Sequence, residues 1–205
     1  MERKLGRRRP IQDRSRTLVD GILSAASQII SGFGYDSATT NRIACRAGVS
    51  VGSLYQYFSN KDEILQGLLE HLIQQTQREV VECLACTLDI PVHHVCSHVV
   101  GTYVRLLRRH RTVLEAAFEH ALGPRQLLVI NAFEREMARW LQAYIAERGQ
   151  GPGPSYDSAL VAVQTISTLG ARIAFETNDE GESLAAERRL CDMISVVLGI
   201  TAATA

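Results

Sequence analysis

Six side chains able to ligate a metal or react with an oxidant, Cys83, Cys86, His93, His94, Cys96 and His98, crowd into sixteen consecutive positions. Thiolates and imidazoles are the ligands of zinc and copper sites, and Cys83 with Cys86 forms a C-x-x-C on a predicted helix. His94 and His98 lie one helical turn apart and can share a metal. Cys96 falls on a different part of that helix, and no second C-x-x-C completes a tetrahedral set. Free cysteine also behaves as a small apolar residue of cores, so a metal-responsive site, a thiol-responsive site and plain packing all stay open. A second constellation, Gly48-Val-Ser50-Val-Gly52, matches the G-x-S-x-G nucleophile elbow of serine hydrolases. An elbow needs a strand before the serine and a helix after it, with Asp/Glu and His following in an α/β sheet. Here a helical pattern precedes Ser50, and a helix terminator followed by an N-capping serine explains the string better. Neither an HExxH, a phosphate-binding glycine loop nor a GxGxxG is present, and no cofactor is expected.

The elements that must position these residues read as helices throughout. Leu18, Ile22, Ala25, Ala26, Ile29 and Phe33 recur at three- and four-residue spacing, an amphipathic stripe that Gly32 and Gly34 end. Thr39 caps a short helix through Arg46, with Ile43, Ala44 and Ala47 facing inward and Gly48 at the left-handed C-terminal position. Ser50 caps a third helix, with Val51, Leu54, Tyr55 and Phe58 on one side and Gly52, Ser53 and Gln56 on the other. Asn60 with Glu63 three residues on resembles a capping box, ahead of Ile64, Leu65, Leu68, Leu69 and Leu72. Helical patterns then cover Pro91 to His110, Thr112 to Leu122, Pro124 to Arg148, Ser155 to Asn178 and Glu182 to Leu198, broken most clearly by the loop Gly149 to Pro154. No stretch alternates with period two, and the fold class is all-α.

Two short helices joined by a tight glycine turn describe a helix-turn-helix, whose second helix enters the major groove of DNA. The charge distribution agrees. The first 61 residues carry ten Lys/Arg against four Asp/Glu and the remainder twelve against eighteen, so a formal charge of zero conceals a basic end on an acidic body. This is the asymmetry of a chain that meets a polyanion at one end. The string from Thr39 to Lys61, with Ile43, Ala44, Ala47, Gly48, Val49, Ser50, Gly52, Leu54, Tyr55, Tyr57 and Phe58 at fixed spacing, closely resembles the tetracycline-repressor (TetR) family of bacterial transcriptional regulators over roughly residues 14 to 65.

That resemblance implies a division into a basic arm (1–13), a three-helix DNA-binding domain (14–60), a helical regulatory and dimerisation domain (61–200) and a short tail (201–205). It implies that Thr40, Tyr55, Lys61 and also Tyr57 contact phosphates, which set affinity and register. Base readout then falls to Val51, Gly52, Ser53 and Gln56, with Ser50 at the helix start and Asn41 from the preceding helix; Gln56 is the best equipped for adenine. Position 41 is Asn where some members carry a base-reading Arg. The arginines at 7, 8, 9, 14 and 16 can follow the DNA backbone or enter a minor groove, or form a solvated tail.

The resemblance also implies a small-molecule cavity among the later helices and a dimer made by the last two, matching a palindromic operator in two half-sites. Ala159, Ala162, Thr165, Leu169, Gly170 and Ile173 suit close packing in the first of these two helices, and Leu190, Met193, Ile194, Val197 and Leu198 are offered by the second. Tyr103, Leu107, Phe118, His120, Phe133, Met137 and Trp140 are candidates to line the cavity for a mostly apolar effector, or are ordinary core. A repressor released from its operator by such an effector is the function implied.

At 205 residues with 46% hydrophobic content the chain makes one domain or two small ones with a real core. No uninterrupted apolar run reaches the roughly 20 residues of a membrane span, and no secretory pattern follows the basic start, so a cytoplasmic protein without a membrane partner is expected. Five cysteines in such a chain point to reduced thiols rather than a disulfide framework.

Overall fold

A computed structural model describes residues 9–87, 89–148, 153–177 and 179–200; for 9–14, Val92 and His93 it describes the backbone alone. Arg3, Lys4, Arg7, Arg8, most of the Gly149–Pro154 loop and the 201–205 tail lie outside the described residues, as do the side chains of Arg9 and Arg14. The described residues hold nine α-helices and no strand: α1 Arg9–Phe33, α2 Thr40–Ala47, α3 Val51–Tyr55, α4 Lys61–Ala85, α5 Val92–Arg109, α6 Arg111–His120, α7 Pro124–Arg148, α8 Tyr156–Glu176 and α9 Glu180–Leu198. Helix α1 starts well before the predicted apolar stripe, at Arg9, so residues 9–13 of the expected arm are helical. A 3-10 turn, Tyr35–Ser37, was not anticipated.

Local chemistry sets the helix boundaries. Thr39 accepts a hydrogen bond from the Arg42 amide at 3.3 Å, and Ser50 accepts one from the Ser53 amide at 3.0 Å. Asn60 Oδ1 accepts from the Glu63 amide at 2.8 Å, while the Glu63 carboxylate reaches back to the Ser59 amide at 2.7 Å. These are the reciprocal bonds of a capping box displaced by one residue, and each cap satisfies amides that would otherwise be orphaned. Ser155 and Asp179 cap α8 and α9 in the same way. Gly48 ends α2 at φ 69°, ψ 26°, a conformation that costs a residue with Cβ about 1–2 kcal/mol.

The described residues form two compact units, one of those up to 70 with 112–122 and one of 71–111 with those from 123 on; the division falls inside α4, and α6 belongs with the first unit. In the first, Ile22, Leu23, Ala25, Ala26, Ile29 and Ile30 of α1 are buried with Ile43 and Ala44 of α2, Leu54 of α3 and Ile64, Leu65, Leu68 and Leu69 of α4. Three residues of the predicted stripes behave differently. Phe33 is 64% exposed at the end of α1, and on α3 only Leu54 is buried, with Val51 and Tyr55 facing solvent.

In the second unit α8 packs against α5, α7 and α9. Tyr156–Glu176 is long and apolar enough to cross a membrane by length and composition, although polar residues interrupt each of its apolar runs. Its Ala159, Ala162, Gly170, Ile173 and Ala174 are instead buried within the chain, and so are Leu190, Ile194 and Leu198 of α9. The small-residue face expected to meet a second subunit is therefore used internally. Two arginines pin helix ends. Arg108 Nη2 donates to Ser183 Oγ at 2.8 Å and Thr177 Oγ1 at 2.9 Å. Arg148 donates to the Thr87 carbonyl at 2.7 Å, the Ile90 carbonyl at 2.8 Å and the Tyr144 hydroxyl.

At Gly170 a Cβ would lie 2.9 Å from Tyr103 Cδ1, whereas at Gly21 in α1 it would meet nothing within 4 Å. Gly170→Ala should therefore cost ~1–3 kcal/mol by overpacking. Gly21→Ala should gain roughly 0.5–1 kcal/mol, because alanine loses less backbone entropy in a helix. Urea unfolding midpoints of the two variants, displaced in opposite directions, check the packing of α8 on α5.

Candidate functional sites: an exposed helix face and an apolar cavity

The first candidate site is built on α2, the turn after it and α3. Ser50, Val51, Gly52, Tyr55, Gln56 and Tyr57 are exposed, Ser53 is half-buried, and Asn41 is exposed on α2. Val51, Tyr55 and Tyr57 leave 37%, 51% and 38% of their surface uncovered, an arrangement water disfavours for such large side chains. Thr40 and Tyr55 are brought together, hydroxyl to hydroxyl at 3.2 Å. Tyr57 donates to Ser15 Oγ on α1 at 3.2 Å. A Cβ on Gly52 would approach only Ser50 Oγ, at 3.9 Å, so nothing inside the fold demands a glycine there. Ser50 Oγ is itself engaged by the Ser53 amide and hydroxyl, and a helix rather than a strand precedes it, so it lacks the setting of a nucleophile elbow.

Lys61 opens α4. Its ammonium sits 4.0 Å from the centre of the Tyr35 ring and 4.0 Å from an Asp36 carboxylate oxygen. Tyr35 in turn donates to Asp62 and stacks on His120 at 4.4 Å between ring centres. Burial, reinforced by the bond to Asp62, pushes the Tyr35 hydroxyl well above the ordinary tyrosine range. The sequence reading missed this cluster and a second one, in which Arg42 lies over the exposed Phe33 ring at 5.2 Å and donates to the Ser37 carbonyl at 3.1 Å. An aromatic residue immediately after a helix-ending glycine was the available signal for both.

The second candidate site is a cavity of about 80 Å³ inside the second unit, several times the ~10–15 Å³ that a single water needs. Of the seven residues proposed from sequence to line it, Tyr103, Phe133 and Met137 do so. Leu107 packs instead in the adjoining core around Val104 and Ile173. Phe118 and His120 belong to the first unit, where both are exposed, and Trp140 is half exposed beside a separate hollow with Val81, Ala143 and Glu147. The heptad-like run Phe133, Met137, Leu141, Tyr144 on α7 is a stripe that the sequence reading followed only halfway. The remaining wall is aliphatic apart from Cys96, Ser167 and the hydroxyls of Tyr103 and Tyr144, and among the described residues no charged side chain lines it. Tyr103 donates to the Ser167 carbonyl at 3.4 Å.

The metal-ligand string is dispersed. Cys83 accepts from Thr102 at 3.5 Å, Cys86, His94 and His98 are exposed, Cys96 faces the cavity, and the His93 side chain lies outside the described residues. Among the described residues no group of three or more His, Cys, Asp or Glu is arranged to hold a metal.

Burial pushes Tyr103 up to about 12. An unfolded tyrosine ionises from about pH 10 while the folded one stays neutral, so the stability Tyr103 contributes is intact below that value and is lost as pH rises toward 12. Tyr103→Phe should accordingly lower stability slightly near pH 7 and reduce the loss between about pH 7 and 11, read from urea midpoints at the two pH values.

Residues 22–68, from α1 into α4, match the family described as bacterial regulatory proteins, tetR family. The HTH-type transcriptional regulator HbdR of Aromatoleum sp. (strain CIB) is 32% identical over 126 residues, 60% of this chain and 54% of that protein, so the match spans about half of the relative's length. The HTH-type nicotine-responsive transcriptional repressor HdnoR of Paenarthrobacter nicotinovorans is 26% identical over 137 residues, 64% of this chain and 69% of its own. In structure, the transcriptional regulator FadR from Bacillus subtilis, solved in complex with stearoyl-CoA, aligns over 89% of this chain and 99% of its own at a TM-score of 0.60 and 20% identity, which establishes a shared fold.

Proposed function

Because the chain belongs to the tetR family of bacterial regulatory proteins, we propose that it is a homodimeric repressor that holds a palindromic operator through α2 and α3 and releases it when a small, largely apolar molecule enters the cavity of the second unit. The observation that carries the DNA-binding role is the start of α3. Ser50, Gly52 and Ser53 are small, Gly52 has open space around it, and the exposed Val51, Tyr55 and Gln56 flank them. Smallness that the fold does not need serves close approach to something outside it, and amides at a helix start favour an anionic backbone.

On this reading Thr40, Tyr55, Tyr57 and Lys61 hold phosphates, and Gln56, Val51, Ser53 and Asn41 meet base edges. Pairing of subunits is supported by apolar side chains left uncovered on the last two helices: Val161 at 50%, Leu184 at 50%, Met193 at 52%, Val196 at 82% and Val197 at 36% exposure. Patches of this kind are rarely left bare, and an isologous pair covers both copies at once. A neutral or acyl-chain effector suits a cavity whose only polar groups are hydroxyls, a thiol and backbone, and a bacterial regulator of this kind works in the cytoplasm, where its DNA is. The ligand shifts the balance between bound and released dimers only by its differential affinity for the two.

Selection of genomic fragments by the purified full chain, followed by affinity on the best fragment at two salt concentrations, tests the reading. A palindromic site with steep salt dependence is expected, and the absence of any enriched fragment overturns it. Tyr55→Phe and Lys61→Ala should weaken binding to all sequences alike, and Lys61→Ala should lower the salt slope by about 1. Gln56→Ala should cost ~1–3 kcal/mol at one base position and relax preference there. Equal losses for Gln56→Ala on operator and random DNA contradict its assigned role.

A further inference from the structure

Cys191, on α9, drew no attention in the sequence, because it lies 95 positions from Cys96. The fold brings them together. Cys96 Sγ donates to the Cys191 carbonyl at 4.0 Å, and the two thiols lie close enough for each to bias the other's ionisation. Both are half-buried in the same core cluster between α5 and α9, and Cys96 also forms part of the cavity wall. The other three cysteines are not so placed: Cys45 and Cys86 are exposed, and Cys83 faces Thr102.

We propose that Cys96 and Cys191 form a reversible dithiol switch, oxidised by a hydroperoxide to an intrachain disulfide that ties α5 to α9 at the cavity wall. Cys191 is the attacking sulfur. Cys96 donates its thiol proton to the Cys191 carbonyl and is held protonated by that contact and by burial, while the Cys191 thiol beside it is shifted toward thiolate. The Cys191 thiolate attacks the outer peroxide oxygen, the O–O bond breaks, and the alcohol or water leaves with the electron pair, giving a sulfenic acid. Cys96 then attacks the Cys191 sulfur, the S–O bond breaks, and its proton leaves with the hydroxide as water. Two thiols and one hydroperoxide thus give one disulfide, one alcohol and one water, with two electrons passing from sulfur to the peroxide. A thiol reverses the bond by exchange. Such a transient, sensing bond is the kind found in reducing compartments, and its chemistry is independent of whether the chain binds DNA.

Trypsin cleaves after Arg78 and Arg105, leaving Cys83, Cys86 and Cys96 on one peptide, while Cys191 follows Arg189 on another. The full chain carrying Cys83→Ser and Cys86→Ser therefore gives an unambiguous product, and serine at 83 keeps an acceptor for Thr102. After treatment with stoichiometric hydrogen peroxide and alkylation, mass spectrometry should find the Cys96 and Cys191 peptides joined, with alkylation of both lost together and restored by dithiothreitol. The thermal midpoint should rise by several degrees on oxidation and fall back on reduction, with no rise in Cys96→Ser or Cys191→Ser, since closing a long loop constrains the unfolded chain. Full alkylation of both thiols after peroxide overturns the proposal. So does a stable sulfinic acid on Cys191 without a link, or a bond between two chains. If either single variant does not fold, the linked-peptide result on the otherwise intact pair still decides.

Discussion

A helix of five residues has no stability of its own, since nucleating a turn fixes several dihedrals for one hydrogen bond. Helix α3, Val51–Tyr55, exists because Ser50 caps its start and Leu54, fully buried, anchors it to the core of the first unit beside α2. Everything proposed for the exposed face depends on that single anchor. With one side chain inward, the other four residues are free to present small or reactive groups outward, and their positions are fixed by the turn rather than by packing of their own. Gly48 in its left-handed conformation sets the angle at which that turn leaves α2. Ala44, fully buried, lets α2 sit close to α1.

The second unit solves the opposite problem. Its helices are long enough to be stable by burial, and its difficulty is to keep an apolar space between them open. Arg148 holds the carbonyls of Thr87 and Ile90 and the Tyr144 hydroxyl, and Arg108 holds the end of α8 and the start of α9. These charge-assisted bonds lie at helix ends and beside the cavity, where they fix spacing without filling it. Gly170 lets the Tyr103 ring come close to α8, and the ring then forms part of the wall. Positioning by polar pins, with aliphatic lining between them, is how a protein keeps a void that close packing would otherwise remove.

What could be read from the sequence was what depends on neighbours three and four residues apart. The caps at Thr39, Ser50 and Asn60, the terminator Gly48, and helix α7 from Pro124 to Arg148 follow from local hydrogen bonding and periodicity, and each stands where the sequence placed it. The all-α class and the likeness of residues 22–68 to the tetR family follow from the same local signals. What escaped depends on which face meets which. Phe33 continues the α1 stripe in spacing yet lies beyond the last partner helix, so it is exposed under Arg42. His120 has the composition of a cavity residue, but stacking on Tyr35 takes it to the first unit. Small residues on α8 were assigned to a partner subunit because small size permits close approach of any helix, and periodicity does not say whose. Cys191 stood outside the crowded cysteine and histidine string, and only the crossing of α5 and α9 gives Cys96 its neighbour.

If the chain works as the effector-released dimeric repressor proposed above, its two candidate sites impose a condition on each other. A ligand that fits the cavity equally well in operator-bound and released dimers changes nothing, however tightly it binds. The lining offers little polar contact with which to discriminate, because the Tyr144 hydroxyl is already engaged by Thr87 and Arg148 and the Tyr103 hydroxyl by Ser167. Discrimination must therefore come from shape: apolar volume that one state accommodates and the other does not, at ~25 cal/mol for each Å² of apolar surface newly buried. An effector that turned the switch by about 1–3 kcal/mol would have to bury on the order of 40 to 120 Å² more in the released state, about the surface of a few methylene groups. A wall of valine, isoleucine, leucine and methionine side chains that can change rotamer is suited to a difference of that size, whereas a rigid polar site would demand a larger rearrangement to achieve the same bias.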